Sequence, residues 1–177
     1  MPAENKTPAL RLVLGGANSG KSQVAEQLIA ATGRPQRYIA TAQAWDDEMR
    51  AKIAKHRRQR GLGWTTVEAP LDLTDVLAAA KPEEIVLLDC VTLWLSNLMM
   101  AERNIQTACA ELCTGLAHAP CPVIVVSNEV GQGITPDNAM ARAFVKHQGH
   151  LNQDLARLAQ EVIFVTAGIA QTLKATP

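Results

Sequence analysis

The chain has 177 residues, 47% of them hydrophobic, and its 17 basic residues are balanced by 17 acidic ones. This hydrophobic content excludes a disordered chain, and the zero net charge leaves no overall basic field of the kind that binds nucleic acid. No segment is long and apolar enough to span a membrane. Residues 1–10 lack the apolar stretch of a signal peptide, so we expect a flexible arm there and a cytoplasmic location. The length of the chain predicts a single domain over residues 11–177.

The first predicted strand, Leu12–Leu14, is an apolar run that stops at a glycine, and a predicted helix covers Lys21–Ala31. The pattern G-x-x-x-x-G-K-[ST] lies between them. In such a loop the backbone N–H groups approach phosphate oxygens, the lysine reaches the β- and γ-phosphates, and the serine hydroxyl binds Mg²⁺. A glycine-rich turn with a chance lysine is the alternative, but a strand before the loop and a helix after it favour phosphate binding. The candidate nucleotide contacts are Gly15, Gly16, Ala17, Asn18, Ser19, Gly20, Lys21 and Ser22.

The rest of the chain alternates apolar runs with helix-like segments. Further strands are predicted over Arg37–Ala40, Thr65–Glu68, Ile85–Asp89, Val123–Ser127 and Val162–Val165. Further helices are predicted over Asp46–Arg60, Leu71–Ala80, Thr92–Met100, Thr107–Ala117 and Asn138–Gln160. Nearly continuous apolar strands are typical of a parallel sheet covered on both faces, so we predict an α/β doubly wound fold. Ligands of such folds bind beyond the carboxyl ends of the strands.

After the second predicted strand, His56 shares a helix face with Met49 and Ile53, and three arginines follow it at Arg57, Arg58 and Arg60. One interpretation is a partly buried histidine beside a solvated basic patch. The other is catalytic, because arginines bind phosphates and their charge favours the neutral imidazole. A neutral imidazole is a good nucleophile toward phosphorus and forms a labile phosphoramidate.

The fourth predicted strand runs through four apolar residues directly into Asp89. An acid at this strand tip can hold Mg²⁺ together with Ser22 or through a water. Any buried strand can end in an aspartate, so the pattern is informative only together with the phosphate-binding loop, which favours the metal-binding role.

The fifth predicted strand leads into a loop containing Asn128, Glu129, two glycines and a proline. Glu129 can position a substrate hydroxyl or a metal-bound water, or it can cap a turn, and both interpretations remain open. Four cysteines occur in the chain, of which Cys109 and Cys113 have a spacing that could share a metal on a helix. No Cys-x-x-Cys or histidine partner completes a zinc site, so we expect ordinary reduced cysteines, most of them buried.

Together these segments resemble the bifunctional adenosylcobinamide kinase / adenosylcobinamide-phosphate guanylyltransferase family of cobalamin biosynthesis, from about Leu12 to Leu173. The phosphate-binding loop is shared by a great many proteins, whereas the segments around His56 and Asn128 are far more specific. The motifs that carry the resemblance are Gly15–Ser22, Tyr38–Ala42, Asp46–Met49 with Ile53 and His56, Trp64–Glu68, Leu88–Trp94, Asn128–Gly131 with Gly133 and Pro136, and Gly149–Gln153.

The resemblance implies a P-loop fold of the recombinase-ATPase type with a small antiparallel addition to the sheet, assembled as a homo-oligomer, with a trimer expected. It implies that ATP or GTP phosphorylates the aminopropanol hydroxyl of adenosylcobinamide with Mg²⁺, and that GMP from GTP then reaches the cobinamide phosphate through a guanylylated histidine, which matches His56. Besides the phosphate-binding loop, the residues matching the family's nucleotide contacts are Ala40, Thr41, Ala42, Arg57, Arg58, Gln59, Arg60, Glu68 and Asp89. Asn128 and Glu129 are candidates for the substrate side.

The chain departs from the family pattern at Ala139, Val145, Lys146 and His150, where arginine, or arginine followed by aspartate, is often found. These changes leave the nucleotide site untouched and concern the corrinoid side or the subunit contacts. Two other functions are compatible with the motifs. One is a P-loop kinase of another small metabolite, without guanylyl transfer. The other is a non-catalytic module in which a bound nucleotide orders a surface for a partner.

Overall fold

The computed structural model describes residues 9–44, 47, 50, 51, 53, 54, 58 and 63–176. Its strands are β1 (Leu10–Gly15), β2 (Gln36–Ala40), β3 (Trp64–Glu68), β4 (Ile85–Asp89), β5 (Val123–Asn128), β6 (Glu161–Thr166) and β7 (Ile169–Ala175). Its helices with defined bounds are α1 (Lys21–Ala30), α2 (Thr74–Ala78), α3 (Val91–Met100), α4 (Ile105–Ala117) and α5 (Ala139–Leu158). In the predicted helix Asp46–Arg60, the residues that the structure describes are helical.

The strands form one sheet in the order β3-β2-β4-β5-β1-β6-β7, with β7 antiparallel to β6 and all other pairs parallel. The six predicted strands and the α/β class are therefore confirmed. The apolar pattern did not predict β7, because nearly all of its residues are exposed at the edge of the sheet. This strand is the antiparallel addition that the resemblance implied. Helix α2 is shorter than the predicted helix Leu71–Ala80.

Both faces of the sheet are covered, which explains why the central strands are apolar throughout. In β4, Val86 and Leu88 pack into the core beneath α2 to α5, whereas Ile85 and Leu87 pack into the core beneath α1, and all four side chains are fully buried. Successive residues of a strand point to opposite faces, so a strand buried on both sides has no position for a polar residue until it ends. None of the helices in the described residues has the length and apolar character needed to cross a membrane.

Side-chain caps define where two of the long helices begin. The Asn104 side chain accepts a hydrogen bond from the N–H of Thr107 at the start of α4. At the start of α5, the Asn138 side chain accepts one from the N–H of Ala141. Each cap satisfies a backbone donor that has no partner within its helix. The cap at Asn138 therefore ends the loop that follows β5 and begins the helix that returns to the sheet.

The carboxyl ends of the strands are staggered. Glu68, Ala40 and Asp89 lie opposite one another in β3, β2 and β4, and Asp89 lies opposite Val126 of β5. β5 continues for two more residues, so Asn128 lies opposite Gly15 of β1. The sheet thus presents a step at the edge where parallel α/β folds bind their ligands.

Candidate nucleotide-binding site

The loop between β1 and α1 is shaped by two glycines. Gly20, the residue before α1, has a φ of 93°, and a Cβ there would lie 3.1 Å from the Cα of Gly168. A Cβ on Gly15 would lie 2.4 Å from Oγ of Ser19 and 2.6 Å from the carbonyl oxygen of Val165. Both glycines are therefore required by the path of the chain. The N–H of Gly168 also donates to the carbonyl of Ser19 at 2.8 Å, so the turn between β6 and β7 supports the loop.

Lys21 begins α1 directly behind this loop. Its side chain is buried, and Nζ donates a hydrogen bond to the carbonyl oxygen of Gly16 at 3.0 Å. The ammonium group therefore lies against the loop that the motif assigns to phosphate. Ser22 follows in the first turn of the helix, whose positive end faces the same loop. An anion in this loop would meet backbone N–H groups, one ammonium group and one hydroxyl.

Asp89 ends β4, one strand removed from the phosphate-binding loop because β5 lies between β4 and β1. The hydroxyl of Tyr38 donates to Oδ2 of Asp89 at 3.2 Å. Burial and the charge of Asp89 raise the pKa of the neighbouring Cys90 thiol to about 11, while the charge of Lys21 acts in the opposite direction.

The segment after β2 is held to the start of α3. Oγ1 of Thr41, which is fully buried, accepts from the N–H of Cys90 at 2.9 Å and donates to its carbonyl at 2.7 Å. The carbonyl of Thr41 accepts from Nδ2 of Asn97 at 2.8 Å. These bonds hold Thr41 against Cys90, and Ala40 lies opposite Asp89 in the sheet, whereas the nucleotide-binding role of Ala40, Thr41 and Ala42 stays a prediction. Glu68 is exposed at the end of the edge strand β3, with β2 between it and Asp89.

The end of β5 is bonded to both nucleotide elements. The N–H of Asn128 donates to Oγ1 of Thr92 at 2.8 Å, three residues after Asp89. The next N–H, that of Glu129, donates to the carbonyl of Gly15 at 3.1 Å. The carboxylate of Glu129 accepts from the N–H of Gly131 at 2.6 Å. The turn-capping contact of Glu129 is therefore present, and its role in positioning a substrate hydroxyl or a metal-bound water stays a prediction.

Behind Asn128 lies a buried polar cluster that the sequence reasoning missed. Oγ of Ser127 donates to Oδ1 of Asn152 at 2.6 Å, Nε2 of Gln148 donates to both of these groups, and Nδ2 of Asn152 donates to the carbonyl of Asn128 at 3.0 Å. A signal was present in the sequence, because Gln148 and Asn152 lie four residues apart on the face of α5 that otherwise buries leucines. Polar residues on an apolar helix face indicate a specific buried contact.

Several predicted site residues cannot be placed. His56, Arg57, Gln59 and Arg60 lie outside the described residues, while Arg58 is helical and exposed. The interpretation of His56 as a nucleophile therefore stays a prediction, and so does the phosphate-binding role of the arginines.

The expected reduced state of the cysteines agrees with the structure, in which all four are free. Cys90 and Cys121 are buried, and Cys109 and Cys113 are half-buried on α4. Burial raises the pKa of Cys109 to about 11, which keeps it protonated at neutral pH. Within the described part of the chain, no group of three or more His, Cys, Asp or Glu side chains is arranged for a metal ion.

The positions at which the chain departs from the family pattern all lie on α5: Ala139, Val145, Lys146 and His150. One of them, His150, lines a cleft of about 300 Å³ between α4 and α5, together with Gln106, Cys109, His147 and Asp154. Asn152 and Gln148 belong to the opposite side of the same helix, where they contact the end of β5. The departure at His150 thus changes the outer surface of α5 and leaves the polar cluster intact.

Comparison with known proteins finds a matching family and similar sequences. The family described as "Cobinamide kinase / cobinamide phosphate guanyltransferase" matches residues 11–173. "Bifunctional adenosylcobalamin biosynthesis protein CobP" of Pseudomonas aeruginosa is 41% identical over 169 residues, covering 94% of this chain and 98% of the relative. "Bifunctional adenosylcobalamin biosynthesis protein CobU" of Escherichia coli is 40% identical over 179 residues, covering 92% of this chain and 98% of the relative.

Solved structures with similar folds are much more distant in sequence. The flagellar accessory protein FlaH from Methanocaldococcus jannaschii has a TM-score of 0.54 and 12% identity, covering 98% of this chain and 82% of that one. A prototypical ATPase from the type III secretion system of pathogenic bacteria has a TM-score of 0.57 and 9% identity, covering 93% of this chain and 56% of that one. These likenesses confirm the predicted α/β fold, a mainly parallel sheet with helices on both faces.

Proposed function

The chain belongs to the cobinamide kinase / cobinamide phosphate guanyltransferase family, and from that premise we propose how its own residues carry out the two reactions. It is a bifunctional enzyme of adenosylcobalamin biosynthesis that uses nucleotides to phosphorylate a cobinamide and to guanylylate the product. We propose that the phosphoryl acceptor is the aminopropanol hydroxyl of adenosylcobinamide, with ATP or GTP as donor, and that GTP supplies GMP in the second step.

The observation that carries this proposal is the convergence of the phosphate-binding loop and Asp89 at one edge of the sheet. Lys21 lies against the loop carbonyl of Gly16, and consecutive N–H groups at the end of β5 join the two elements, that of Asn128 donating to Thr92 and that of Glu129 to Gly15. An ammonium group here would neutralise charge on the β- and γ-phosphates as the terminal bond breaks. In the kinase step, the acceptor oxygen bonds to the γ-phosphorus, the bond to the β-phosphate oxygen breaks, and the hydroxyl proton is released to solvent. Asn128 and Glu129 would face the acceptor in this proposal.

The donor set at this edge suits Mg²⁺. Ser22 and Asp89 offer a hydroxyl and a carboxylate, the hard oxygen ligands that Mg²⁺ prefers, and few protein ligands are needed when phosphates and waters complete the shell. Tyr38 orients the carboxylate of Asp89 by donating to Oδ2. When bound, the ion would supply charge neutralisation on the nucleotide phosphates.

In the second reaction, His56 is the proposed nucleophile. Its imidazole nitrogen would attack the α-phosphorus of GTP, pyrophosphate would leave, and the GMP would then pass to the phosphate of the kinase product, regenerating free His56. Arg57, Arg58, Gln59 and Arg60 would contact the phosphates in this step, with Ala40, Thr41, Ala42 and Glu68 completing the nucleotide site. We further propose a cytoplasmic homo-oligomer, for which a trimer is the expected state. Exposed apolar side chains such as Ile169 and Leu173 on β7 support association with another copy.

The test is a product assay with purified protein, adenosylcobinamide, ATP, GTP and Mg²⁺, analysed by mass spectrometry. We expect a phosphorylated corrinoid with ATP alone and a GDP-linked corrinoid once GTP is present. A phosphorylated corrinoid that never gains GMP would favour the plain kinase. Binding of the nucleotides without turnover of any corrinoid would favour the nucleotide-gated module.

Replacing Asp89 by asparagine tests the metal site. The amide has nearly the shape of the carboxylate and can still accept the hydrogen bond from Tyr38, so we expect an intact fold. The loss of charge should weaken the metal, raising the Mg²⁺ concentration for half-maximal kinase activity by about tenfold or more. A magnesium titration of wild type and variant measures this, with Asp72→Asn on the exposed surface as the matched control. An unchanged magnesium requirement would remove Asp89 from the site.

A further inference from the structure

The hairpin formed by β6 and β7 turns beside the phosphate-binding loop. Because β6 runs parallel to β1, the turn that follows it lies at the same edge of the sheet as this loop. Six of the seven residues of β7 are exposed, and none of its residues belongs to either apolar core of the described chain. Burial of apolar surface therefore explains little of what β7 contributes, and its specific contacts are the informative feature.

The turn of this hairpin is a defined structure. Ala167 and Gly168 are its two central residues, with φ of 51° and 77°. Positive φ at both positions is the type I′ geometry, which matches the twist of an antiparallel pair of strands. Toward the other end of β7, Nζ of Lys174 donates to the carbonyl oxygen of Ala156 at 2.9 Å in the last turn of α5. The hairpin is thus held against the body of the protein, and its turn has a fixed position.

This turn meets the phosphate-binding loop backbone to backbone. A Cβ on Gly20 would lie 3.1 Å from the Cα of Gly168 and 3.6 Å from its nitrogen, so glycine lets the two segments approach this closely. The N–H of Gly168 donates to the carbonyl oxygen of Ser19 at 2.8 Å. Oγ of Ser19 is buried and has no hydrogen-bond partner among the described residues. The bond from Gly168 is therefore the one that connects Ser19 to a neighbouring element.

This bond sets the direction of an N–H group in the loop. The carbonyl of Ser19 and the N–H of Gly20 belong to one planar peptide and point in opposite directions. Because the carbonyl faces the β6–β7 turn, the N–H of Gly20 faces away from it, and it donates to no acceptor in the described part of the chain. The carbonyl of Gly15 accepts from the N–H of Glu129 in the same manner, at 3.1 Å. Neighbouring elements thus orient two peptides of the loop from outside.

The bonds within the loop do not fix the peptide between Ser19 and Gly20. The carbonyl of Gly16 accepts from the N–H of Ser19 at 3.2 Å, and the carbonyl of Gly20 accepts from the N–H of Val24 at 3.0 Å. These bonds orient the peptides that follow Gly16 and Gly20. Glycine has the widest conformational freedom of any residue, so a peptide that ends at Gly20 can rotate unless it is held from outside. The N–H of Gly168 supplies that restraint.

We propose that Gly168 is a positioning residue for nucleotide binding, whose N–H holds the carbonyl of Ser19 so that the N–H of Gly20 is directed at a phosphate oxygen of the nucleotide. The inference rests on the proposed use of the loop for nucleotide phosphates, and it makes the β6–β7 turn a part of that site. Without the bond from Gly168, the peptide before Gly20 must be ordered when the nucleotide binds, and the affinity falls by the cost of that ordering.

The test is the dissociation constant of ADP with Mg²⁺, measured by isothermal titration calorimetry for wild type, Gly168→Val and Gly168→Asn. Valine is strongly disfavoured at a φ of 77°, whereas asparagine adopts positive φ readily and keeps the N–H in place. A Cβ at this position meets no described atom within 4 Å, so the substitutions act through the backbone. We expect Gly168→Val to bind ADP about tenfold more weakly and Gly168→Asn to stay within about twofold of wild type.

Gly33→Val is the matched control, because Gly33 has a φ of 66°, a Cβ there also meets no described atom, and it follows α1 at the end away from the loop. It should lower the melting temperature about as much as Gly168→Val and leave the affinity for ADP unchanged. Gly168→Ala, which is less strained, should show an intermediate affinity and is measured if the valine variant does not fold.

Three results would overturn the inference: equal loss of affinity in Gly33→Val, a loss in Gly168→Asn as large as in Gly168→Val, or wild-type affinity in every variant of Gly168. If wild type itself binds no ADP, the proposed function fails as well. If wild type binds ADP and the affinity does not depend on Gly168, the inference alone fails.

Discussion

Replacing His56 by alanine should abolish the covalent GMP adduct and the transfer of GMP to the corrinoid phosphate, reducing guanylyl transfer to background. Without the imidazole, no nucleophile remains to displace pyrophosphate from the α-phosphorus of GTP. The kinase step should continue, because phosphoryl transfer through the phosphate-binding loop needs no covalent intermediate. Intact-mass spectrometry after incubation with GTP and Mg²⁺ should show an added GMP in wild type and none in the variant. The adduct should be labile in acid and stable in base, as a phosphoramidate is.

His118→Ala is the matched control for this experiment, because His118 is an exposed histidine at the end of α4 that contacts the carbonyl of Thr114. It should form the adduct as wild type does. Circular dichroism should show the same folding in all three proteins. An adduct that persists in His56→Ala would show that another residue is the nucleophile. A wild-type protein that forms no adduct would favour a kinase without guanylyl transfer.

Replacing Lys21 by alanine should lower kcat/KM for the nucleotide about 100- to 1,000-fold in the kinase step. The variant lacks the positive charge that neutralises the β- and γ-phosphates. The fold should persist, since Lys21 lies at the start of α1 and belongs to neither of the two apolar cores. Guanylyl transfer should also fall, because the departing pyrophosphate contains the same two phosphates. Steady-state assays of both reactions measure these losses.

Lys81→Ala provides the comparison, as Lys81 is an exposed lysine in the turn before β4. Its activity should match wild type, with thermal melting used to show that all proteins are folded. Wild-type turnover in Lys21→Ala would mean that the phosphate-binding loop does not hold the reacting nucleotide. If the variant loses only guanylyl transfer, the nucleotide used in the kinase step must bind at another site.

The sequence by itself determined the parts of this protein that depend on neighbouring residues. The phosphate-binding loop is recognisable from the contiguous residues Gly15–Ser22, whereas the contacts of Val165 and Gly168 that require glycine at positions 15 and 20 appear only in the folded chain. The central strands β4 and β5 were predictable because burial on both faces leaves a continuous apolar run, which ends at the polar residues of each strand's carboxyl end. The family resemblance rests on the same contiguous motifs.

Only the tertiary structure decided which residues meet across the sheet. The strand order places β5 between β1 and β4, and this puts Asn128 between the loop and Asp89, although a local pattern says nothing about strand order. Ser127 meets Gln148 and Asn152 across 21 and 25 residues of chain. A hydrophobic pattern reports whether a position is buried, but the hydrogen-bond partner of a buried polar group is set by how helices and strands pack, and so it appears only in the folded chain.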